Sequence, residues 1–300
     1  MPDNGLMSLA TNRFLAYIQP KNRMISFRTA YPKKIGHLVK SFWYLEVTPG
    51  DSSNGNKRYY EEEVVPDGHH ELIFHTGARP ARVRLANASG WMEEPYAVVA
   101  GQIMQQHQLQ LETGARLYGI RFFPHTLPAF LPIPVAELTD RICDLGAACD
   151  PRPFWNCITD NPDTTFANFE TLLIRRLRST AVGNAGYDYV NAAVQAIMSN
   201  KGQVTGAQLT RRTGISKTHL DNLFLKYVGT TPKSFSRIIQ LNSFIVYRSR
   251  HPEMSLTQCG YEAGYFDQSH LAKAFASFTG SSPGEYFRRQ NEISGIFSTL

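Results

Sequence analysis

The chain has 300 residues, enough for two domains of roughly 100–200 residues each. With 42% hydrophobic, 19% charged and 12% aromatic residues it can build packed cores, which excludes wholesale disorder, and no stretch approaches the roughly 18 apolar residues of a membrane helix. The formal charge of +6 is uneven: residues 187–290 hold 12 Lys/Arg against 6 Asp/Glu, while the remainder holds 19 of each, so a neutral module precedes a basic one suited to nucleic acid.

The opening residues, MPDNGLMSLATNRF, lack a basic segment followed by an apolar core, so no secretory signal is expected and the cytoplasm is the expected location. Between 31 and 145 the chain reads as β-rich, with HLVKSFWYLEV, ELIFHT, ARVRLA and YGIRFF broken by PG, DG, TG and SG turn signals. The run VPDGHHELIFH gathers His69, His70, Glu71 and His75, a residue set that could ligate a metal. Along a strand His69 and Glu71 would share one face and His70 the other. The spacing does not reproduce the H-x-H followed by a close Glu of metal cupins, so a Pro-Asp-Gly turn flanked by ordinary polar residues is preferred, with neither metal nor other cofactor expected. Trp43, Trp91, Tyr118, Arg121 and Phe123 are the candidates for lining a small-molecule pocket. Arg121 is the most informative, because an arginine inside the apolar run YGIRFF needs an anionic partner or ligand. A domain kept only for dimerisation would look the same.

Residues 147–163, rich in Pro, Cys and Asp, suit a connection. Cys143, Cys149, Cys157 and Cys259 show no CxxC spacing and read as free thiols. Residues 164–180 place Phe166, Phe169, Leu172, Leu173 and Leu177 on one helical face, whose default partner is the preceding β-domain and whose alternative is a dimer or interdomain contact. AVGNAG, 181–186, reads as a linker.

From 187 the pattern is helical and contains a repeat. TGAQLTRRTGISKTHLDNLFLKYVGTTPKSFSR (205–237) matches SLTQCGYEAGYFDQSHLAKAFASFTGSSPGEYFR (255–288), first at an offset of 50 and, after one inserted residue, at 51. In each copy Thr205–Gln208 or Ser255–Gln258 forms a capping box, and Gly214 or Gly264 ends the first helix. Ser216 or Asp267 caps the second helix, and Gly229 or Gly280 stops it. Leu220, Leu223, Phe224 and Tyr227, mirrored by Leu271, Phe275 and Phe278, form the apolar stripes. Thr231-Pro232 and Ser282-Pro283 start the helices that follow. This is the helix-turn-helix plan, twice. The joining segment from Pro232 to Arg250 reads as one helix of about 28 Å, long enough to hold two reading helices in successive major-groove segments about 34 Å apart.

The repeat, with GYFDQSHLAKAFASFTGSSPGEYFR as its strongest string, resembles the DNA-binding domain of the AraC/XylS family of bacterial transcription regulators over about 187–290. The strings SFWYLE, VPDGHHELIF and YGIRFFPHTL resemble the sensory domain often joined to it. The fold so implied is α+β: an N-terminal β-rich, cupin-like barrel followed by an all-α tandem helix-turn-helix domain. The expected division is 1–146, a β-rich ligand-binding or dimerisation domain, then 147–186, a connection with the amphipathic helix, then 187–292, the DNA-binding domain. By resemblance, base contacts fall on Thr218, Asp221 and Asn222 in the first unit and on Gln268, Ser269 and Lys273, with His270 nearby, in the second. Members carrying arginine or glutamine at the positions of Asn222 and Asp221 differ here. Asn suits adenine, and Asp can accept from cytosine N4 or serve as a local cap or salt bridge. Gln268 suits adenine and Lys273 guanine. Phosphate candidates are Arg211, Arg212, Lys217, Lys226, Arg237 and Arg288, with solvated surface charge as the alternative. His219 and His270 recur in both copies, which fits a structural role as well as a DNA contact.

The reading that results is a non-enzymatic, effector-responsive transcription regulator whose partners are double-stranded DNA, a small-molecule effector, a second copy of itself and, for an activator, RNA polymerase. A ligand-independent DNA-binding protein is the first alternative. A cupin-type metalloenzyme or a DNA-repair alkyl acceptor on the same module is the other; repair would need an activated thiolate, and the cysteines lack a neighbouring His or cationic cluster.

Overall fold

The computed structural model describes residues 25–48, 59–77, 79–86, 88–178 and 181–289. The secretory-signal reading of the opening residues lies outside them. Among the described residues ten strands come first: β1 (Ile25–Ala30), β2 (Val39–Val47), β3 (Tyr59–Val64), β4 (His70–His75), β5 (Arg82–Arg84), β6 (Met92–Glu93), β7 (Ala97–Ala100), β8 (His107–Glu112), β9 (Arg116–Phe122) and β10 (Ile142–Asp144). They form two antiparallel sheets, ordered β1-β2-β9-β4-β7-β10 and β3-β8-β5-β6. The β-rich unit expected as a cupin-like barrel thus takes the form of two sheets facing each other across a shared core.

The larger sheet is covered on both faces, which explains why β2 and β9 read as nearly continuous apolar runs. Side chains alternate. Trp43, Leu45 and Leu117 meet Tyr60, Leu111 and Ala81 of the smaller sheet's side. Phe42, Tyr44, Leu72, Phe74, Tyr118 and Ile120 face the other way, onto two helices, α1 (Arg152–Trp155) and α2 (Pro162–Arg176). The stripe of α2 buries Phe166, Phe169 and Leu173 against this sheet, with Phe42 6.1 Å from Phe166 and Phe74 5.7 Å from Phe169. Its default partner is therefore the one it has. The helix starts at its Asn161 cap and stops at Arg176, short of the expected 180, because Leu177 turns extended and the Arg178 amide bonds to the Ala129 carbonyl instead.

Seven helices follow: α3 (Ala185–Ser199), α4 (Gly206–Thr213), α5 (Lys217–Tyr227), α6 (Pro232–Arg250), α7 (Leu256–Glu262), α8 (Gln268–Thr279) and α9 (Pro283–Arg288). Both capping boxes form, at Thr205/Gln208 and Ser255/Gln258. Gly214 and Gly264 take positive φ, 72° and 78°. Helix α6 belongs to two cores at once. Phe235 and Ile239 pack with Val190, Leu209, Leu220 and Phe224, while Ile238, Leu241, Phe244 and Ile245 pack with Leu271, Phe275 and Tyr286.

Gly119 sits opposite Trp43 in the β2–β9 ladder, and a Cβ there would lie 1.9 Å from the indole. The ring lies across the glycine, so no larger residue fits without displacing it. Gly119→Ala should cost about 1–3 kcal/mol by overpacking, read as a lower urea midpoint with altered tryptophan emission; an unchanged midpoint would mean that the indole moves at no cost.

Candidate nucleic-acid interface and ligand cavities

Helices α5 and α8 are placed by their caps. Ser216 accepts from the His219 amide and Asp267 from the His270 amide, fixing where α5 and α8 begin. One side of each helix is buried: Leu220, Phe224 and Tyr227 in α5, and Leu271, Phe275 and Phe278 in α8. The other side is polar. Thr218 and Asn222 are exposed on α5, and Gln268, Ser269, His270 and Lys273 on α8. Asp221 is half-buried and accepts from the Lys217 ammonium at 2.6 Å, one turn back. The pair is solvated and adds little stability, but it joins a cation to the carboxylate that would otherwise repel phosphate.

His270 is partly structural. Its Nδ1 accepts from the Phe266 amide at 3.3 Å and its ring stands edge-on to Tyr265 at 5.4 Å, which leaves Nε2 as the donor for any further contact. His219 is exposed. Arg211 and Arg212 lie exposed in the last turn of α4, and Lys217 and Lys226 are exposed on α5. Arg237 is exposed yet bonded, donating to Ser277 Oγ at 3.0 Å with its guanidinium 5.0 Å from the Phe278 ring, so it ties α6 to α8. Arg288 donates to the Gly284 carbonyl.

Of the five pocket candidates, the structure brings Trp43 and Arg121 into one network. Arg121, 1% exposed, donates to Asp67 Oδ2 at 2.5 Å and Glu71 Oε1 at 3.1 Å; the Trp43 indole N–H donates to the same Glu71 oxygen at 3.3 Å. The other three stand elsewhere. Tyr118 is in the core on the opposite face, its hydroxyl bonded to the Thr159 carbonyl. Trp91 lies under the guanidinium groups of Arg82 and Arg84, and Phe123, half-buried, follows β9. Asp67, which the sequence showed only as part of a turn, is Arg121's principal partner. Burial opposes its ionisation, but Arg121 and the His69 bonds outweigh that and hold the carboxyl well below the usual range. Burial raises Glu71 to about 7 against the pull of Arg121 and lowers His69 to about 3.

Asp67 and His69 stand between two cavities. One, about 100 Å³, lies between the sheets, lined by Trp43, Leu45, Glu71, Ile73, Glu94 and His107 among others. Glu94 is held there by His75, 2.8 Å away. The other, about 420 Å³, lies on the seam between the β-rich and helical units. Lys40, Asp67, His69 and Arg121 face Met198, Lys201, Ile239, Tyr247 and Arg250 across it. Burial, then Arg121, lowers Lys40 to about 7. His70 is buried outside both cavities. Among the described residues no three His, Cys, Asp or Glu side chains gather as a metal site.

The same turn joins the units. Gly68, at φ 81°, lies so close to α6 that a Cβ would sit 2.8 Å from the Phe235 ring, Val65 enters the second helical core, and Asn242 donates to the Pro66 carbonyl at 2.6 Å. Thr139 donates to the Gly229 carbonyl and the Gln106 amide to the Phe278 carbonyl, each at 2.6 Å.

Residues 209–289 match a helix-turn-helix domain family, HTH_18. The C-terminal unit is an AraC-type helix-turn-helix domain. The chain is accordingly a DNA-binding transcription regulator, with double-stranded DNA as its partner. Residues 30–144 match a domain of unknown function, DUF6597. No curated protein matches the chain. Among solved structures, an apo ToxT variant from Vibrio cholerae strain SCE256 is 12% identical, covering 90% of this chain and 99% of its own, with TM-score 0.43. Wild-type ToxT from that strain, bound to an unsaturated fatty acid, is 12% identical over 77% and 95%, with TM-score 0.40. The AraC-like transcriptional activator CuxR is 13% identical over 70% and 86%, with TM-score 0.28. At such scores none of these likenesses extends to sites or ligands.

The repair alternative meets a physical obstacle in the thiols. Burial pushes Cys149, Cys157 and Cys259 up, the reverse of an activated thiolate. No described helix is long and apolar enough to cross a membrane.

Removing the cation from the buried network should be costly. Arg121→Met is expected to lose about 3 kcal/mol in urea unfolding, since Asp67 and Glu71 would remain without it. Both carboxyls then have raised pKa values, so the loss should grow as pH rises above the unfolded carboxylate range and shrink towards pH 4. A loss independent of pH would mean that packing, not charge, is what Arg121 supplies.

Proposed function

We propose that one copy of this regulator reads two adjacent major-groove segments and that an organic anion in the seam cavity biases its affinity for DNA. The observation that carries the first part is the pair of capped helices α5 and α8 with exposed polar faces, joined by the unbroken α6. Thr218 and Asn222, with Asp221 more constrained by Lys217, read bases in the first unit; Gln268, Ser269 and Lys273, with His270 through Nε2, read them in the second. Arg211, Arg212, Lys217 and Lys226 serve phosphate, and Arg237 and Arg288 do so only insofar as their internal bonds allow. No catalytic step is assigned. Since both reading units lie on one chain, a homodimer is unnecessary for this mode, and contact with RNA polymerase would follow where the bound site adjoins a promoter.

The effector class follows from the charges facing the seam cavity. Lys40, Lys201 and Arg250 line it together with the apolar Met198, Ile239 and Val246, and the only carboxylate among its described lining residues, Asp67, is already engaged by Arg121. Its volume suits a small amphipathic anion. Because the cavity wall includes α6, a ligand that fits one arrangement of the seam better than another shifts the spacing of α5 and α8.

Selection from a random duplex library should enrich two blocks about one helical turn apart. Lys273→Ala should relax the second block and cost about 1–3 kcal/mol, and a loss equal on all sequences would make Lys273 a phosphate contact. Arg212→Ala should weaken all sequences alike and lower the salt slope by about one unit; an unaltered slope removes it from the phosphate set.

For the effector, anilinonaphthalene sulfonate is a suitable probe, an anion on an apolar body. Lys40→Met with Lys201→Met should weaken its binding at least tenfold. Lys40 is charged below about pH 7 and neutral above, so affinity should fall from pH 6 to pH 9, with proton uptake on binding near pH 8. Binding that ignores both pH and the double substitution would place the probe elsewhere.

A further inference from the structure

The turn of the second unit is one residue longer than that of the first. Only Ile215 stands between Gly214 and the capping Ser216, whereas Tyr265 and Phe266 stand between Gly264 and the capping Asp267. Packing identifies the addition. Ile215 leans on the first helical core, and Tyr265 takes the corresponding place in the second, 3% exposed and edge-on to Phe244 at 6.1 Å. Phe266 is the additional residue, and it is 84% exposed, the most exposed large apolar side chain among the described residues.

A single exposed phenylalanine ordinarily needs no explanation. This one is distinguished by where it is held. Its amide is bonded to His270 Nδ1, one turn into α8, and the next residue caps that helix, so the backbone at 266 is fixed to the start of the reading helix. The N-terminal residues of such a helix are those that meet base edges. Gln268 and Ser269 follow within three positions. The major groove offers one apolar group among its base edges, the C5-methyl of thymine.

We propose that Phe266 is a specificity-determining residue that reads thymine by packing on its C5-methyl group, beside the bases met by Gln268 and Lys273. The inference rests on the DNA-reading role of α8. Burying the methyl should contribute about fourfold in affinity, the effect of withdrawing one such group from water.

The test uses the full chain and its selected duplex, with each thymine of the second block replaced in turn by uracil, which removes the methyl alone. Wild-type protein is expected to lose about fourfold at one or two of these positions. Phe266→Ala should bind thymine and uracil duplexes equally there, while melting at the wild-type temperature, since the side chain it removes is exposed. Phe266→Leu should keep part of the difference. Uracil tolerated by the wild type at each position, or a difference that survives in Phe266→Ala, overturns the proposal and leaves the regulator standing. A change in sedimentation on Phe266→Ala without a change in thymine discrimination would make Phe266 an interface between copies, which also overturns it. Failure of the wild type to enrich any motif removes the DNA-reading role itself.

Discussion

A guanidinium withdrawn from water costs several kcal/mol unless carboxylates meet it, and that requirement organises the junction between the two halves of the molecule. Arg121 rises from the middle of the larger sheet and is met by Glu71 from the neighbouring strand and by Asp67 from the turn before it. The ion pairs thereby help to fix the conformation of a turn most of which is buried between the two units. The turn is also the piece of the β-rich unit that enters the helical unit, through Val65, the Pro66 carbonyl and Gly68. One ion pair thus orders both a cavity wall and a docking surface. The same residues cannot change one without the other.

The helical unit has the complementary design. It has two cores, and α6 supplies side chains to both. The β-rich unit touches both copies of the repeat near the C-terminal end of the second helix, bonding to the Gly229 carbonyl after α5 and to the Phe278 carbonyl in the last turn of α8. Contacts of this kind, at helix ends whose carbonyls lack partners within the helix, stabilise through bonds that the helix cannot make itself. They leave the polar faces of α5 and α8 uncovered.

How far this was legible from the residues differs between the halves. Helix ends are written locally, in a capping box, a glycine or a Thr-Pro pair, and the repeat writes each of them twice, so α4 to α9 could be bounded from the sequence. The first strand, the two-residue β6 and the partition into two sheets depend on pairings distant in the chain and left only weak traces. Arg121 announced a need for an anion, and Glu71 stood in an evident cluster. Asp67 was hidden because Pro-Asp-Gly is also an ordinary turn. The seam cavity was not legible, since it combines residues about 200 positions apart, such as Lys40 and Arg250, that no local pattern links. Aromatic character misled in the same way: strand register turns Tyr118 to the face opposite Trp43, while Trp91 and Phe123 stand just outside strands.

The continuity of α6 has a consequence for how such a protein can change over generations. Adding or deleting one residue in that helix would rotate the second unit by about 100° against the first and shift it by about 1.5 Å. In the proposed mode, two reading heads tuned to one duplex would then face different directions. Substitutions within α5 and α8 can alter which sequence is preferred, and surface loops can lengthen, but the helix between the heads is confined to one length. In that mode its 19 residues would set a phase on the duplex that the protein addresses as much as on the fold.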